Sequence, residues 1–327
     1  MAFFPPVLDF GAFAQLPAAG IAPTPEQLAL AARLDATNRE HGFCCLSNTG
    51  VNAAEAFQAS RGLFALTQAE KASLHAVDRA SGANVGFFAP RSESLNSARA
   101  HDEKEAFNVR VVDGECAAGL FCGTPAGFEA AARGFYAAAA SLAERVMAAY
   151  ALALNLPVDF FILRHRSRAL CTLRLLHYPP TLADADGADC AGERIRAGEH
   201  TDFGVLTLLF VDAAGGTDAA AGLQVRMPTG WADVTPPPDC VVVNTGALLA
   251  QWSNDVWRAT PHRVVVTNCA AECARYSIAF FTDPDPEVLV TCLPQFCTAE
   301  RPARYAPITS LDYLLVRCNC AHLCARC

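Results

Sequence analysis

The chain has 327 residues, of which 52% are apolar and 18% are charged, so it is long enough to bury a substantial core. Its formal net charge of -8 and pI near 5.5 argue against nucleic acid as a partner, because no basic stripe displaces counterions from phosphates. No run reaches the roughly 18 consecutive apolar residues of a membrane span. The N-terminus also lacks the basic start of a signal peptide. We therefore expect a cytoplasmic protein.

Fifteen cysteines is a high count for such a chain. The count is odd and no secretory signal precedes it, so we expect reduced thiols, most of them buried as small apolar residues. Four cysteines and a histidine cluster in the last ten residues, namely Cys318, Cys320, His322, Cys324 and Cys327. They offer a possible zinc site. Compositional bias is the favoured explanation, because ligands this close together, with no strand and turn between them, rarely form a rigid site.

Strand and helix patterns alternate in the N-terminal half. We predict, in chain order, a strand over 6–10, a helix over 24–40, a strand over 41–50, helices near 53–64 and 68–75, and a long helix over 124–156. Thr24 is the expected cap of the first helix, because Pro25 suits the first turn that follows it. The long helix is rich in alanine and has apolar residues at helical spacing, so we expect it to pack against a sheet.

The character of the chain changes near residue 170, where short β-rich runs begin. Separated by Gly, Pro and Asp clusters, they read CTLRLLHY, GVLTLLFV, GLQVRM, CVVVNTG, HRVVVT and RYSIAFF. Short strands at close spacing indicate an antiparallel sandwich or jelly roll rather than a parallel sheet. We predict a single domain with a mainly β core, composed of an N-terminal helical and strand layer (1–168), a jelly-roll core (169–290) and a C-terminal extension (291–327).

A candidate metal site begins with the motif EHTDFG, which precedes one of these strands. In an extended segment, side chains two residues apart point the same way, so His200 and Asp202 can present an imidazole and a carboxylate to one ion. His262, at the start of a later β run, is the candidate third ligand. Two histidines and a carboxylate on one face leave three octahedral positions open, as in non-haem iron(II) oxygenases. Alone, His-x-Asp is a weak signal, and a capping or core histidine is the alternative.

A candidate anion site follows in the run RYSIAFF. Strand alternation places Arg275 and Ser277 on one face, where a guanidinium fork and a hydroxyl suit a terminal carboxylate. An inward-facing arginine on an apolar strand is costly unless it meets an anion. A surface arginine is the alternative, and the anion-binding interpretation is favoured.

These motifs closely resemble the isopenicillin N synthase-like family of iron(II)/2-oxoglutarate-dependent dioxygenases. The matching stretches are PVLDF, HGFCCLSNTGV, NVGFFAP, DEKEAFNV, RLLHYPP, AGEHTDFGVLTLLF, GLQVR, VVNTG, QWSND, PHRVV and RYSIAFF, which cover about residues 5–290. The resemblance implies a double-stranded β-helix (jelly-roll) fold with flanking N-terminal helices. It also implies that His200, Asp202 and His262 are iron ligands.

The resemblance further implies where the co-substrate binds. Arg275 and Ser277 would hold the C5 carboxylate of 2-oxoglutarate, and Tyr178 would donate a further hydrogen bond. Alternation in LRLLHYP puts Arg174 on the face of Tyr178, so Arg174 is expected to add a second cation.

Three positions depart from the family pattern. Leu176 stands where many plant members have Asn, Ala247 where Asp often follows Gly246, and Thr49 where His is frequent. None of the three removes an iron ligand. The Leu176 difference removes one polar contact to the co-substrate.

The function implied by the resemblance is hydroxylation of a small molecule, with use of O2 and 2-oxoglutarate, release of succinate and CO2, and a possible need for ascorbate in vitro. Two alternatives stay open at this point. One is an iron-dependent oxidase or ethylene-forming type of enzyme on the same fold, and the other is a non-catalytic metal-binding protein. A monomer is the commoner state in the family.

Candidate substrate contacts lie in the N-terminal region, in a lid-like loop over 181–198 and beside the metal motif. For each of them, core packing or surface exposure is an equally good explanation. They are Asn84, Phe88, Arg91, Asn108, Arg110, Phe203 and Phe281.

Overall fold

The computed structural model describes residues 2–3, 5–17, 20–75, 84–93, 102–180, 195–212, 221–266 and 274–323, with side chains between residues 5 and 317. The helices in these ranges are α1 (Pro25–Glu40), α2 (Ala54–Phe64), α3 (Gln68–Lys71), α4 (Phe128–Ala153), α5 (Ala247–Trp252) and α6 (Ser310–Leu323). The strands are β1 (Ala2–Phe3), β2 (Val7–Asp9), β3 (Phe43–Ser47), β4 (Gly86–Phe88), β5 (Glu105–Val109), β6 (Thr172–Tyr178), β7 (Ile195–His200), β8 (Leu206–Val211), β9 (Leu223–Met227), β10 (Gly230–Val234), β11 (Val241–Thr245), β12 (His262–Val265), β13 (Arg275–Thr282), β14 (Leu289–Val290) and β15 (Ile308–Thr309).

The predicted elements of the N-terminal half are present with shifted ends. Thr24 caps α1 through a capping box with Gln27, and Pro25 occupies the first turn, as predicted. The helix predicted near 68–75 ends earlier, at Lys71. There the hydroxyl of Ser73 donates to the carbonyl oxygen of Glu70 at 2.6 Å. This side-chain hydrogen bond gives a carbonyl group of the last turn a partner from beyond the helix.

Two sheets form the β core. The large sheet has the order β2-β3-β11-β8-β13-β6-β5-β4, and the small sheet has the order β1-β10-β9-β12-β7. The pairs within them are antiparallel, except that β2 pairs with β3 and β1 with β10 in parallel. The predicted jelly roll is therefore confirmed, with a large sheet that is mixed where the first strands of the chain join it.

Each face of the large sheet has its own neighbour. On the outer face, Ile278 and Phe280 of β13 join the main apolar core with α4, and the rings of Tyr136 and Phe280 meet edge to face at 5.2 Å. On the inner face, Ala279 packs with residues of the small sheet, including Val264. The alternation of β13 thus separates a helix-covered core from an interior between the two sheets.

The described cysteines depart from the expectation in two respects. Cys44, Cys45 and Cys171 are free and buried, as predicted, but Cys116 and Cys240 are only half-buried and Cys122 is exposed. Cys292 and Cys297, however, form a disulfide, so the prediction of reduced thiols was wrong for this pair. The reason is local, because the short turn Pro294–Phe296 brings their Cα atoms to 6.6 Å.

Other predictions fall outside what the structure describes. The backbone of α6 reaches Leu323, but the side chains of Cys318, Cys320 and His322, together with Cys324 and Cys327, lie outside the described residues, and so does most of the predicted lid, 181–194. The zinc site and the division into three segments stay predictions. Among the described residues, no helix combines the length and apolarity needed to cross a bilayer.

Candidate metal centre

The three predicted metal ligands converge at one end of the small sheet. His200 ends β7, Asp202 follows it, and His262 begins β12, where it is the register partner of His200. The Nε2 atoms of His200 and His262 lie 3.8 and 3.7 Å from Oδ1 of Asp202, and the two ring centroids are 4.3 Å apart. Ligand atoms of all three residues lie within 4.8 Å of one another. This spacing suits a single ion held by two imidazoles and a carboxylate.

Two polar side chains of the large sheet orient the carboxylate. Thr207 donates to Oδ2 of Asp202 at 2.5 Å, and the amide nitrogen of Asn244 donates to the same oxygen at 2.7 Å. Oδ1 therefore faces the histidines, while Oδ2 is held by the protein. The sequence prediction missed both residues. Their signal was a polar side chain on the inner face of an otherwise apolar strand, in VLTLLF and VVVNT.

Backbone carbonyl groups fix the tautomers of both histidines. Nδ1 of His200 lies 2.8 Å from the carbonyl oxygen of Gly198, and Nδ1 of His262 lies 3.2 Å from that of Thr260. A carbonyl oxygen only accepts, so each Nδ1 carries the proton and each Nε2 presents a lone pair to the ion.

The electrostatics of the three groups also favour a cation. Burial, together with the neighbouring His262, lowers the pKa of His200 to about 4, so its ring is neutral at physiological pH. Burial raises the pKa of the Asp202 carboxyl, but the two histidines and the hydrogen bonds from Asn244 and Thr207 outweigh it and lower that pKa. A neutral His200 ring beside an ionised carboxylate suits a divalent metal.

The ligand loop packs directly on the backbone of α5. The Ala247 N–H donates to the carbonyl oxygen of Asp202 at 2.8 Å. A Cβ atom on Gly246 would lie 2.2 Å from the carbonyl oxygen of Gly204, and one on Gly204 would lie 2.3 Å from that of Thr282. No side chain fits at either glycine, so backbone contacts set the position of this loop.

The predicted carboxylate clamp lies on the inner face of the large sheet. Arg275 is 2% exposed, and its Nη1 donates to Oγ of Ser277 at 3.1 Å. Tyr178 is the register partner of Arg275 on β6, with its ring centre 5.2 Å from the guanidinium carbon. Among the described residues, Nε of Arg275 has no hydrogen-bond partner, and burial lowers the pKa of the group. A buried guanidinium with an unused donor fits an incoming carboxylate.

Arg174 is not available as a free second cation. Its guanidinium forms an ion pair with Glu93 and lies 4.8 Å above the ring of Phe88. Any contribution to co-substrate binding would be shared with Glu93, so that role stays a prediction.

The predicted substrate contacts divide between the interior and the surface. Asn108 is buried, and its amide donates to the carbonyl oxygen of Asn84 at 3.0 Å. Among the described residues, Oδ1 of Asn108 has no partner. Phe88 and Phe281 line the inner apolar cluster beside it. The role of these three residues as substrate contacts stays a prediction.

The remaining candidates point elsewhere. Phe203 packs against the helix-side core and meets the ring of Tyr313 at 6.4 Å. Arg91 is on the surface, where it pairs with Glu103 at 3.3 Å. Arg110 donates to the hydroxyl of Thr172, the first residue of β6, at 2.8 Å. The structure thus brings the three metal ligands together and places Arg275 beside Ser277 on the inner face, but it does not gather all the substrate candidates.

Similarity to known proteins agrees with the family resemblance seen in the sequence. Residues 169–284 match the sequence profile of the 2OG-Fe(II) oxygenase superfamily, and residues 5–118 match that described as the non-haem dioxygenase in morphine synthesis N-terminal. A full-length Neurospora crassa protein, crystallised in complex with alpha-KG, is 30% identical with a TM-score of 0.78, and the match covers 96% of this chain and 95% of that chain. The chain belongs to the 2OG-Fe(II) oxygenase superfamily.

Two further comparisons illustrate the breadth of the superfamily. The same Neurospora crassa protein has been crystallised with alpha-KG and thymine, and that structure is 29% identical with a TM-score of 0.79, covering 97% of this chain and 96% of that one. A 2-oxoglutarate-Fe(II) type oxidoreductase of Emericella nidulans is 38% identical over 180 residues, which are 54% of this chain. That match spans 48% of the relative, so this chain aligns with about half the length of the curated relative.

Proposed function

We propose that this protein is an Fe(II)- and 2-oxoglutarate-dependent oxygenase that hydroxylates a small molecule and releases succinate and CO2. The observation that carries the proposal is the buried guanidinium of Arg275, whose Nε donor has no partner within the described part of the chain. It lies on the inner face of the same sheet whose Thr207 and Asn244 hold Asp202. An ion site alone fits many metalloproteins. An ion site with a buried carboxylate clamp fits an oxygenase that takes a 2-oxo acid.

The chain's own residues account for how the reactants would be held. His200, Asp202 and His262 would hold the iron on one side and leave its opposite side open. Arg275 and Ser277 would bind the far carboxylate of 2-oxoglutarate. Bound iron(II) supplies the redox chemistry that couples O2 and 2-oxoglutarate consumption to oxidation of a substrate C–H bond.

The interior wall supports the positioning of a small organic substrate. Phe88 and Phe281 offer ring faces, and Oδ1 of Asn108 offers a buried acceptor that would prefer an N–H or O–H of the ligand. The Arg174–Glu93 pair provides both a donor and an acceptor at the same wall. Thymine in the related Neurospora crassa structure is a molecule of this chemical type, so pyrimidine bases are sensible first members of a substrate panel. We further propose that the protein acts as a cytoplasmic monomer.

Anaerobic titration tests the co-substrate part of the proposal. Iron(II) followed by 2-oxoglutarate should produce the weak visible charge-transfer band of the chelate. Succinate would fail to produce it, because it lacks the keto oxygen. Absence of the band with intact iron binding would contradict 2-oxoglutarate use.

Turnover tests the reaction itself. In air, with ascorbate, labelled 2-oxoglutarate should release CO2, and a substrate panel scored by succinate should stimulate that release. Ethylene in place of succinate would favour the ethylene-forming alternative. Substrate oxidation without 2-oxoglutarate would favour the oxidase, and iron binding with no O2 consumption would favour a non-catalytic protein.

A further inference from the structure

A buried ion pair outside the triad lies next to the metal centre. Asp102 and Lys104, just before β5, form a salt bridge between side chains that are each 3% exposed. Burying two charges is costly, and the cost is offset only when other hydrogen bonds complete the pair. The second oxygen of Asp102 makes such a bond.

That second oxygen connects the pair to the small sheet. Oδ1 of Asp102 accepts the backbone N–H of Gly198 at 3.0 Å, and the N–H of Glu103 donates to the carbonyl oxygen of Arg196 at 3.1 Å. Gly198 and Arg196 belong to β7, the edge strand of the small sheet. The segment 102–103 therefore covers this edge with two hydrogen bonds, and one of them is made by a charged acceptor.

Gly198 in turn holds a metal ligand. Its carbonyl oxygen accepts Nδ1–H of His200 at 2.8 Å, the bond that leaves Nε2 of His200 for the ion. A continuous path thus runs from Lys104 to Asp102, from Asp102 to the N–H of Gly198, and from the carbonyl of Gly198 to His200. Outer groups that orient a histidine ligand commonly change metal affinity 10- to 100-fold.

We propose that the Asp102–Lys104 pair is a positioning element of the metal centre. It fixes β7 at Gly198 and thereby sets the orientation and tautomer of His200. Neither residue belongs to the metal triad or to the carboxylate clamp, so their effect passes through His200. The inference rests on the metal centre of the proposed function.

The test replaces the pair without leaving a lone buried charge. In Asp102→Leu with Lys104→Met, the branching of the first side chain and the length of the second are nearly kept and both charges are removed, so the fold should be retained. We expect cobalt(II), used as a spectroscopic probe, to bind about 10- to 100-fold more weakly than to the wild type. In proton NMR of the cobalt(II) form, the exchangeable Nδ1–H signal of His200 should exchange faster with water, whereas that of His262 should not change.

The chain supplies a matched control on the outer face of the large sheet. Lys71 and Glu105 form a second buried pair at 2.9 Å, with side chains 8% and 4% exposed. Lys71→Met with Glu105→Gln should change the melting temperature but leave cobalt(II) affinity as in the wild type. A loss of affinity in this control equal to that of the test variant would assign the effect to general stability and overturn the proposal.

A conservative variant covers the case in which the double variant does not fold. Asp102→Asn keeps an oxygen that can accept from Gly198, so its cobalt(II) affinity should lie between those of the wild type and Asp102→Ala. Equal affinities for wild type, Asp102→Asn and Asp102→Ala would overturn the positioning role while leaving the metal centre intact. A wild-type protein that binds no cobalt(II) would instead refute the metal centre itself, and the inference with it.

Discussion

The two faces of the large sheet are built from the same strands but have different roles. The outer face of β13 carries Ile278 and Phe280 into an apolar core with α4. The inner face of the same strand carries Arg275 and Ser277, both nearly fully buried. On β11, Val243 faces the helices while Asn244 faces Asp202. Burying a polar side chain on the inner face costs free energy. A polar side chain there that lacks a purely structural partner therefore indicates the functional site.

Removing a metal ligand should have the largest effect on activity. The effect should be confined to the site on the inner face and should not extend to the core on the outer face. We expect Asp202→Ala to lower succinate formation by at least about three orders of magnitude, because two imidazoles alone do not hold a catalytic ion. The measurement is succinate per enzyme together with bound iron by elemental analysis. Near wild-type turnover in a protein that retains its iron would show that the triad is assigned incorrectly.

Removing the clamp should have the next largest effect. Arg275→Met is expected to weaken 2-oxoglutarate binding roughly 100-fold or more, because the far carboxylate would be buried without its partner. Ser277→Ala removes one hydrogen bond and should cost about 5-fold. Titration of the chelate band gives both affinities. Unchanged iron binding in each variant is the control, and equal affinity for 2-oxoglutarate in Arg275→Met and wild type would exclude the clamp.

Neighbouring residues of β11 allow the two faces to be compared directly. Asn244→Leu should lower cobalt(II) affinity about 10- to 100-fold, because Oδ2 of Asp202 loses one of its two donors. Val243→Ala should lower the free energy of unfolding by about 2 kcal/mol without changing cobalt(II) affinity. Calorimetry and metal titration on both variants check the pair. If both variants lost cobalt(II) affinity equally, the assignment of separate roles to the two faces would be wrong.

The smallest expected effect concerns Asp283, which follows the end of β13. Its Oδ1 is buried without a hydrogen-bond partner among the described residues. Burial and, less strongly, the charge of Asp202 raise the pKa of Asp283 to about 7, although Arg110 opposes them. The folded protein therefore holds this proton more tightly than the unfolded chain does, and the stability it contributes is present at low pH and lost as the pH rises towards about 7.

Replacing the carboxyl group with an amide isolates this contribution. Asp283→Asn should raise the free energy of unfolding at pH 8 by about 1 to 2 kcal/mol relative to wild type, and by less at pH 5. Urea unfolding at the two pH values measures the difference. A gain that is the same at both pH values would show that the proton plays no part.

The sequence predicted the centre of the site well, because its ligands lie in short motifs whose direction follows from strand alternation. His200, Asp202 and His262 meet, and Arg275 and Ser277 share a face, as that alternation requires. The predictions that fell short depended on partners distant in the chain. Arg174 is engaged by Glu93, 81 residues away in sequence. No local pattern could reveal that pairing.

Three further shortfalls depended on turns or on packing that strand alternation does not predict. Phe203 follows Asp202 directly, yet its ring turns to Tyr313 of the C-terminal helix, an element that the family resemblance does not cover. The hydrogen bond of Thr207 to Asp202 spans only five residues, but recognising it required the turn between them. The disulfide between Cys292 and Cys297 likewise depends on the short turn that brings the two residues together.

The close contact of Gly204 with Gly246 has a consequence for how this protein can change. The loop that carries Asp202 is held by close backbone contacts at Gly204 and Gly246 and by hydrogen bonds from Thr207 and Asn244, whereas the candidate substrate wall is formed by side chains of β4, β5 and β13. Substitutions in that wall can therefore alter which molecule is accepted while the ion-holding loop keeps its shape. We therefore expect that changes in the wall can alter substrate specificity without loss of the metal site, provided that Gly204 and Gly246 are retained.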